Sequence, residues 1–244
     1  MARIATLARI AALLLAAAPC PAAEPAQAEI MARAASVYAK RLAESAIDSE
    51  RHFTVRVWAI AQVLIRQARR DYPDTAGWDW EVHTTDDERA NADCMAGGKI
   101  LVGQAYVERL GLNDAELAML LAHEIQHAAL QHNLLEYQAA LRLEPAWRTR
   151  PFAELEDAID NDQALISRLA ATNYAQEQEA DREGLLLAWR AGWPAAQLAG
   201  YYRKLMRDTD WPSRSKPDYP SPSQRSRDAQ ALAASLQKNH VPLH

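Results

Sequence analysis

The stretch LLAHEIQHAAL, residues 120–130, places His123 and His127 four residues apart, with Glu124 directly after the first histidine. An α-helix turns by about 100° per residue, so the two imidazoles lie roughly 40° apart on one face and can reach a single ion. Glu124 points about 100° away from His123, where it can contact a water molecule but is poorly placed as a third ligand. This is the H-E-x-x-H spacing of a metal site. The alternative is a surface helix with two solvated histidines.

The helix that carries this motif has a clear start. Asn113 is followed three residues later by Glu116, which together form a capping box, and we expect the helix to continue to about His132. Upstream, we predict helices over residues 29–48 and 52–70, a half-buried strand over 78–85, and a short apolar strand after the Gly97–Gly98 pair.

Downstream of the motif the sequence is again helical. We predict helices over most of residues 133–172, with an interruption near 144–151, and then over 173–191, 195–207 and 222–237. The predicted fold class is therefore α+β, mostly helical, with a small sheet beside the motif helix. We expect one domain over residues 29–244, in which residues 133–172 are long enough to act as a lid or plug.

Composition narrows the range of partners. The chain has 244 residues, 49% of them hydrophobic, and its 27 Lys+Arg against 32 Asp+Glu give a formal net charge of −5. It has no basic block and no alternation of basic and aromatic residues, so we expect no nucleic-acid partner.

The N-terminus has the pattern of a secretory signal peptide. Two arginines precede a short apolar run over residues 10–18, and small residues suit cleavage after Ala23 or Ala28. We place the signal peptide at residues 1–28; an uncleaved anchor is the alternative. The apolar run is shorter than the roughly 20 residues of a membrane span. We therefore expect a periplasmic protein with at most peripheral membrane association.

The two cysteines raise separate questions. Cys20 suggests a lipoprotein, but Pro19 precedes it where a small residue is usual, so ordinary cleavage is favoured. Cleavage would leave Cys94 as the one cysteine, and no internal disulfide is then expected. We expect Cys94 to be a small buried residue, because no activating base is evident near it in the sequence.

A catalytic zinc ion needs three protein ligands and an open position for water. His132 lies nearby, but roughly 140° round the helix from His127, so we expect it on the outer face or at the helix end. Glu177 and Asp181, in the stretch EQEADREG, share a helical face. One carboxylate can bind the ion while the other orients a ligand imidazole. Glu179 points to the opposite side, and a solvated charged face is the alternative for this whole run.

Three stretches together suggest a family. They are NADCMAGGKI (91–100), NDAELAMLLAHEIQH (113–127) and EQEADREGLLLAWRAGWPAAQ (177–197). In order and spacing, the sequence resembles the zinc metallopeptidases of the CAAX prenyl endopeptidase and bacterial HtpX-like type over roughly residues 78–230. The resemblance implies a zincin-like peptidase domain, one zinc ion per chain, Glu177 as the third ligand and Asp181 in a supporting role.

Because it has a secretion signal and lacks apolar membrane spans, the sequence resembles the periplasmic branch of that family most. This branch resembles the β-barrel assembly-enhancing protease, here expected without its C-terminal repeats.

The sequence departs from the family pattern at YPSPSQR, residues 219–225. The family often has a histidine, a proline and an arginine there, and in relatives the histidine can approach the metal. Tyr219 takes the place of the histidine, and Arg225 matches the arginine. Tyr219 could donate a hydrogen bond to a developing oxyanion or could only pack, and Arg225 is the second candidate for that role.

These features predict a zinc-dependent endopeptidase. Glu124 would act as the general base on a water molecule at the ion. An extended substrate would add to the edge of the sheet by main-chain hydrogen bonds, with weak demands on its sequence. The strand predicted to offer this edge consists of Gly98, Lys99, Ile100 and Leu101.

Weak sequence demands suit quality control, so the expected partners are unfolded or misassembled envelope proteins, outer-membrane proteins among them. The first alternative is a zinc-stabilised chaperone or adaptor that binds clients without cutting them. Glu124 argues against it, because this residue is not needed to hold zinc. The second alternative, a helical binding domain without metal, requires all three stretches to be coincidences.

Overall fold

The computed structural model describes residues 25–208 and 219–239. The predicted signal peptide, residues 1–28, lies outside this part except for its last four residues. The described elements are α1 (Gln27–Glu44), α2 (Arg51–Asp71), β1 (Glu81–Thr85), β2 (Ala92–Met95), β3 (Lys99–Gly103), α3 (Gln104–Arg109), α4 (Asp114–Ala129), α5 (His132–Leu143), α6 (Phe152–Asn161), α7 (Gln163–Arg190), α8 (Ala195–Leu198), α9 (Gly200–Arg207) and α10 (Pro222–Asn239).

Helices dominate these residues and one small sheet accompanies them, which confirms the predicted fold class. Two short 3₁₀ turns, Pro73–Thr75 and Pro145–Thr149, interrupt the helices. The second is the interruption predicted near residues 144–151. Within the described residues, each helix is too short or too polar to span a membrane.

The sheet has the strand order β1-β3-β2, with β1 parallel and β2 antiparallel to β3. The prediction that Gly98, Lys99, Ile100 and Leu101 form a sheet edge is therefore wrong. Ile100 is opposite Val82 on one side and Cys94 on the other, so β3 is the central strand. Its continuous apolar run is typical of a strand covered by neighbours. The strand beside α4 with a free edge is β2.

Helix α4 runs through the main core and is buried along most of its length. It packs against α7, β2 and α2. The predicted capping box is confirmed, because the Asn113 side chain accepts from the Glu116 backbone and the Glu116 side chain accepts from the Asn113 backbone. Lys204 Nζ also contacts Glu116 Oε2 at 2.5 Å, which ties α9 to this end of α4.

The predicted extension of this helix to His132 is wrong. The helix ends at Ala129, and Gln131 adopts a left-handed conformation with φ of 59°. A residue in that region commonly ends a helix and redirects the chain. His132 is the first residue of α5 instead.

A second, smaller core joins α5, α6 and the first half of α7. Its buried members include Ala140, Leu155, Leu165 and Leu169. These helices make up most of the segment 133–172 and lie beside the main core.

Candidate metal centre

A close crossing of α4 and α7 builds the centre. A Cβ atom on Gly184 would lie 2.9 Å from the backbone nitrogen of His123, closer than real Cβ atoms approach. Glycine at this position therefore allows the two helices to touch backbone to backbone. Since Glu177 and Asp181 lie on α7 within two turns of Gly184, the crossing brings both carboxylates to the histidines of α4.

The structure places the three predicted ligands together. His123 Nε2 lies 3.2 Å from His127 Nε2 and 3.6 Å from Glu177 Oε2, and His127 Nε2 lies 3.4 Å from Glu177 Oε1. Burial would raise the pKa of Glu177, but the hydrogen bond with His127 and the charges of His123 and Arg225 lower it to about 2. The two imidazole nitrogens and the ionised carboxylate of Glu177 lie close to one another, and together they could hold a metal ion.

Asp181 supports His123 from the side opposite the ligand nitrogen. Its Oδ1 lies 2.9 Å from His123 Nδ1, at an angle that falls short of a hydrogen bond. Arg225 donates to both carboxylate oxygens, from Nε at 2.7 Å and from Nη2 at 2.6 Å. Tyr202 OH donates to Oδ1 at 2.7 Å. Burial opposes ionisation, but the charge of Arg225 and the contact with His123 hold the pKa of Asp181 well below its usual range.

Arg225 is thus engaged with a carboxylate at the centre. It is 3% exposed, and its Nη2 also lies 3.5 Å from Glu177 Oε2. This places the guanidinium where it fixes the carboxylates, and its role toward an oxyanion stays a prediction. Tyr202 was missed from the sequence, because a tyrosine on an amphipathic helix carries no signal for a contact with Asp181.

Glu124 faces the cavity above the ligands. Its Oε1 lies 4.0 Å from His123 Nε2, and its side chain is 18% exposed. Burial raises the pKa of Glu124 to about 7, although the charges of His123 and His127 oppose the shift. A carboxylate with this pKa can take up and release a proton near neutral pH.

His132 lies behind His127 and is buried at the first residue of α5, so of its two predicted positions the outer face is wrong and the helix end is right. The two Nδ1 atoms are 3.0 Å apart, and His132 Nε2 lies 3.6 Å from Glu179 Oε2. Burial, with the charges of His127 and His123, lowers the pKa of His132 to about 3. A neutral His132 can therefore accept, at its Nδ1, a hydrogen bond from the Nδ1–H group of His127. The turn at Gln131 causes the difference, because it rotates His132 inward.

A cavity of about 420 Å³ opens at the ligands. Residues 91–95, which include β2, line it, and so does Tyr219. Of residues 133–172, Asn133 is the one that lines this cavity, and the lid or plug role of that segment stays a prediction. Cys94 also lines it and is buried as expected. Tyr106 and Tyr201, which the sequence did not single out, complete the wall, with their hydroxyls 3.2 Å apart.

Residues 52–234 match Peptidase family M48. The chain belongs to peptidase family M48. Members of this family are metal-dependent peptidases, so the chain is a metalloprotease, and its mostly helical domain with a small sheet is consistent with a zincin-like fold. The predicted family resemblance is confirmed.

Individual relatives agree with this membership. The chain is 32% identical to mitochondrial metalloendopeptidase OMA1 of Arabidopsis thaliana over 136 residues, which cover 53% of this chain and 26% of that protein. It is 26% identical to the beta-barrel assembly-enhancing protease of Yersinia pestis over 166 residues, 62% of this chain and 34% of that protein. It is 27% identical to the Escherichia coli (strain K12) protein of the same name over 161 residues, which cover 60% of this chain and 33% of that protein. The matched region spans about a third or less of these relatives.

Proposed function

We propose that this M48 peptidase is a zinc-dependent endopeptidase. The observation that carries the proposal is the spacing of the donor atoms: the two histidine Nε2 atoms are 3.2 Å apart, and each lies 3.4 or 3.6 Å from one oxygen of the Glu177 carboxylate. Tetrahedral zinc with bonds of about 2.0–2.1 Å needs donor atoms roughly 3.3 Å apart. One ion per chain would be held by His123, His127 and Glu177. It would supply a Lewis acid that activates water and polarises a substrate carbonyl.

Glu124 is the proposed general base and acid. It lies on the cavity wall beside the ligands, and its carboxylate is free to take a proton from the attacking water. The same proton can then pass to the leaving amine. Burial raises the pKa of this carboxyl to about 7 in the metal-free protein, and a bound cation would lower it, so the carboxylate form that accepts the proton would be populated at neutral pH.

Asp181 and Arg225 hold the imidazole of His123 in its orientation. The buried carboxylate lies against His123 Nδ1 and directs the opposite nitrogen, Nε2, toward the ligand cluster. Arg225 and Tyr202 in turn fix that carboxylate by hydrogen bonds. Partners of this kind typically change metal affinity or activity about 10–100-fold when removed.

Substrate would bind as an extended chain along β2. Among the described strands, β2 pairs with β3 on one side alone, and its residues form the wall of the cavity beside Glu124. Main-chain hydrogen bonds to this edge give affinity with little dependence on side chains. This supports unfolded or misassembled proteins as substrates, with outer-membrane proteins among them. The name of the Yersinia pestis relative and the predicted signal peptide support a periplasmic role in protein quality control.

The test separates a peptidase from a zinc-stabilised chaperone. Glu124→Gln should retain about one zinc per chain and lose cleavage of unfolded casein or of an unfolded outer-membrane protein. Glu108→Gln, a matched change on an exposed side chain of α3 outside the cavity, should retain both. Alanine at His123 or His127 should remove the metal. Wild-type protein that holds zinc and binds these clients without cutting them would support the chaperone, and full zinc occupancy after Glu177→Ala would place the third ligand elsewhere.

A further inference from the structure

The outward face of α2 carries a basic and apolar surface, which we call the α2 stripe. Its exposed members are Arg51, Val55, Trp58, Arg66, Arg69 and Arg70. At about 100° per residue these six positions fall within an arc of roughly 120°, and at 1.5 Å per residue they extend over about 30 Å. The opposite side of the helix, with Leu64 and Ala68, packs into the main core. The stripe thus runs along the exposed, convex side of a helix whose other side is buried in the main core.

The charge of the α2 stripe is unbalanced. Within α2, which the structure describes in full, the one carboxylate is Asp71, which accepts from Gln67 and pairs with Arg190 at 2.9 Å. Across residues 25–208 and 219–239, none of the four stripe arginines has an ion-pair or hydrogen-bond partner. Arg56, which lies off the stripe, is by contrast bonded to Asp114 at 2.7 Å. Four unpaired positive charges therefore share one face of a chain whose formal net charge is −5.

Two apolar side chains lie among these charges. Trp58 is 54% exposed and Val55 is 57% exposed. Both side chains are apolar, yet they lie on the exposed side of α2 and not on its buried side. Tryptophan favours the boundary between water and lipid, where its ring is partly apolar and its N–H can be hydrated. The arginines that flank it along the stripe, Arg51 and Arg66, would contact lipid phosphates. A bilayer offers a continuous plane of such phosphates, which fits a long convex stripe better than a protein partner with a few discrete carboxylates would.

We propose that the α2 stripe binds an anionic phospholipid surface and holds the peptidase against a membrane as a peripheral protein. Attraction to anionic lipids by a basic helix face grows with the number of basic residues and is screened by salt. None of the six stripe residues lines the metal cavity, so membrane binding and peptide cleavage occupy separate surfaces. The proposal therefore does not depend on the proposed zinc chemistry.

Sedimentation of the purified protein with vesicles tests the proposal. Wild-type protein should bind vesicles that contain phosphatidylglycerol, bind pure phosphatidylcholine vesicles far more weakly, and be released by 0.5 M salt, at about which concentration the Debye length falls to a few ångströms. The triple variant Arg66→Gln, Arg69→Gln, Arg70→Gln should bind on the order of 100-fold more weakly, since each basic residue near the surface contributes roughly a five-fold factor. Glutamine is a good helix former, so α2 should persist, as circular dichroism can verify.

A second triple variant provides the control. Lys40→Gln, Arg150→Gln and Arg168→Gln also remove three exposed positive charges, but each of these side chains already contacts a carboxylate: Glu44, Glu154 and Glu144 respectively. This variant should bind anionic vesicles as wild type does, and both variants should cleave a soluble peptide at the wild-type rate.

Three results would overturn the proposal: no binding of wild type to phosphatidylglycerol, equal binding to both lipids, or equal loss in the two triple variants. An acidic protein that is retained by wild type, lost by the stripe variant, and accompanied by no vesicle binding would assign the surface to a protein partner instead.

Discussion

His132 should set the metal affinity of the centre although it binds no metal itself. If His127 uses Nε2 as a ligand, its Nδ1 carries the proton and must donate to His132 Nδ1, 3.0 Å away. His132→Leu removes the acceptor and leaves a buried N–H without a partner, which costs about 1–3 kcal/mol. That cost corresponds to a loss of zinc affinity of about 5–150-fold. His132→Asn places an oxygen close to the position of Nδ1 and should restore most of the affinity.

Competition with a chromophoric chelator would measure the zinc affinity, and thermal unfolding of the metal-free protein would measure packing. The pattern expected is a large loss for the Leu variant, a small loss for Asn, and similar melting temperatures for both without metal. His52→Asn, an exposed histidine of α2, should change neither quantity. Wild-type affinity in the Leu variant would show that His132 only packs. Equal losses in Leu and Asn would show that a hydrogen-bond acceptor is not what matters.

Three further predictions concern other parts of the chain. Gly184→Ala should destabilise the protein by about 1–3 kcal/mol, because its Cβ would meet backbone atoms of His123; an unchanged melting temperature would show that α7 can shift freely. Tyr219→Phe should lower kcat by about 10²-fold with little change in KM or zinc content if its hydroxyl donates to the oxyanion; unchanged kcat would reduce it to packing. Intact mass of periplasmic protein should show loss of the first 23 or 28 residues, and a lipid adduct on Cys20 would refute this.

The parts of the centre that depend on one helix could be predicted from the sequence. The relation between His123, Glu124 and His127 follows from helical geometry, and the structure shows it within α4. Glu177 and Asp181 share a face for the same reason. Their approach to α4 depends on a long-range crossing, and for that the family resemblance supplied what periodicity could not. Gly184 explains that crossing, but its role is visible only when the distance to the other backbone is known.

The wrong predictions concern residues whose position depends on a turn or on packing against another helix or strand. The run after Gly98 was correctly predicted as a strand, but strand order is set by pairing, and this strand, β3, lies at the centre with β1 and β2 at the edges. His132 was placed on a continuous helix, whereas one left-handed residue, Gln131, turned it inward. Tyr202 reaches Asp181 from α9, a helix that packs against α10 and α4. None of these contacts leaves a periodic pattern in the sequence.

The bond between Arg225 and Asp181 has a consequence for the timing of activity during synthesis. Arg225 lies on α10, the last described helix, and it reaches its carboxylate across 44 residues of sequence. Because α10 follows both α4 and α7 along the chain, it is the last of the three to be made, and this bond forms only after the other two helices are present. An emerging chain that has made α4 and α7 but not α10 would hold His123 loosely. Hydrolysis would then begin only after the whole domain has closed, and the newly made enzyme would not attack other chains, or its own, before that point.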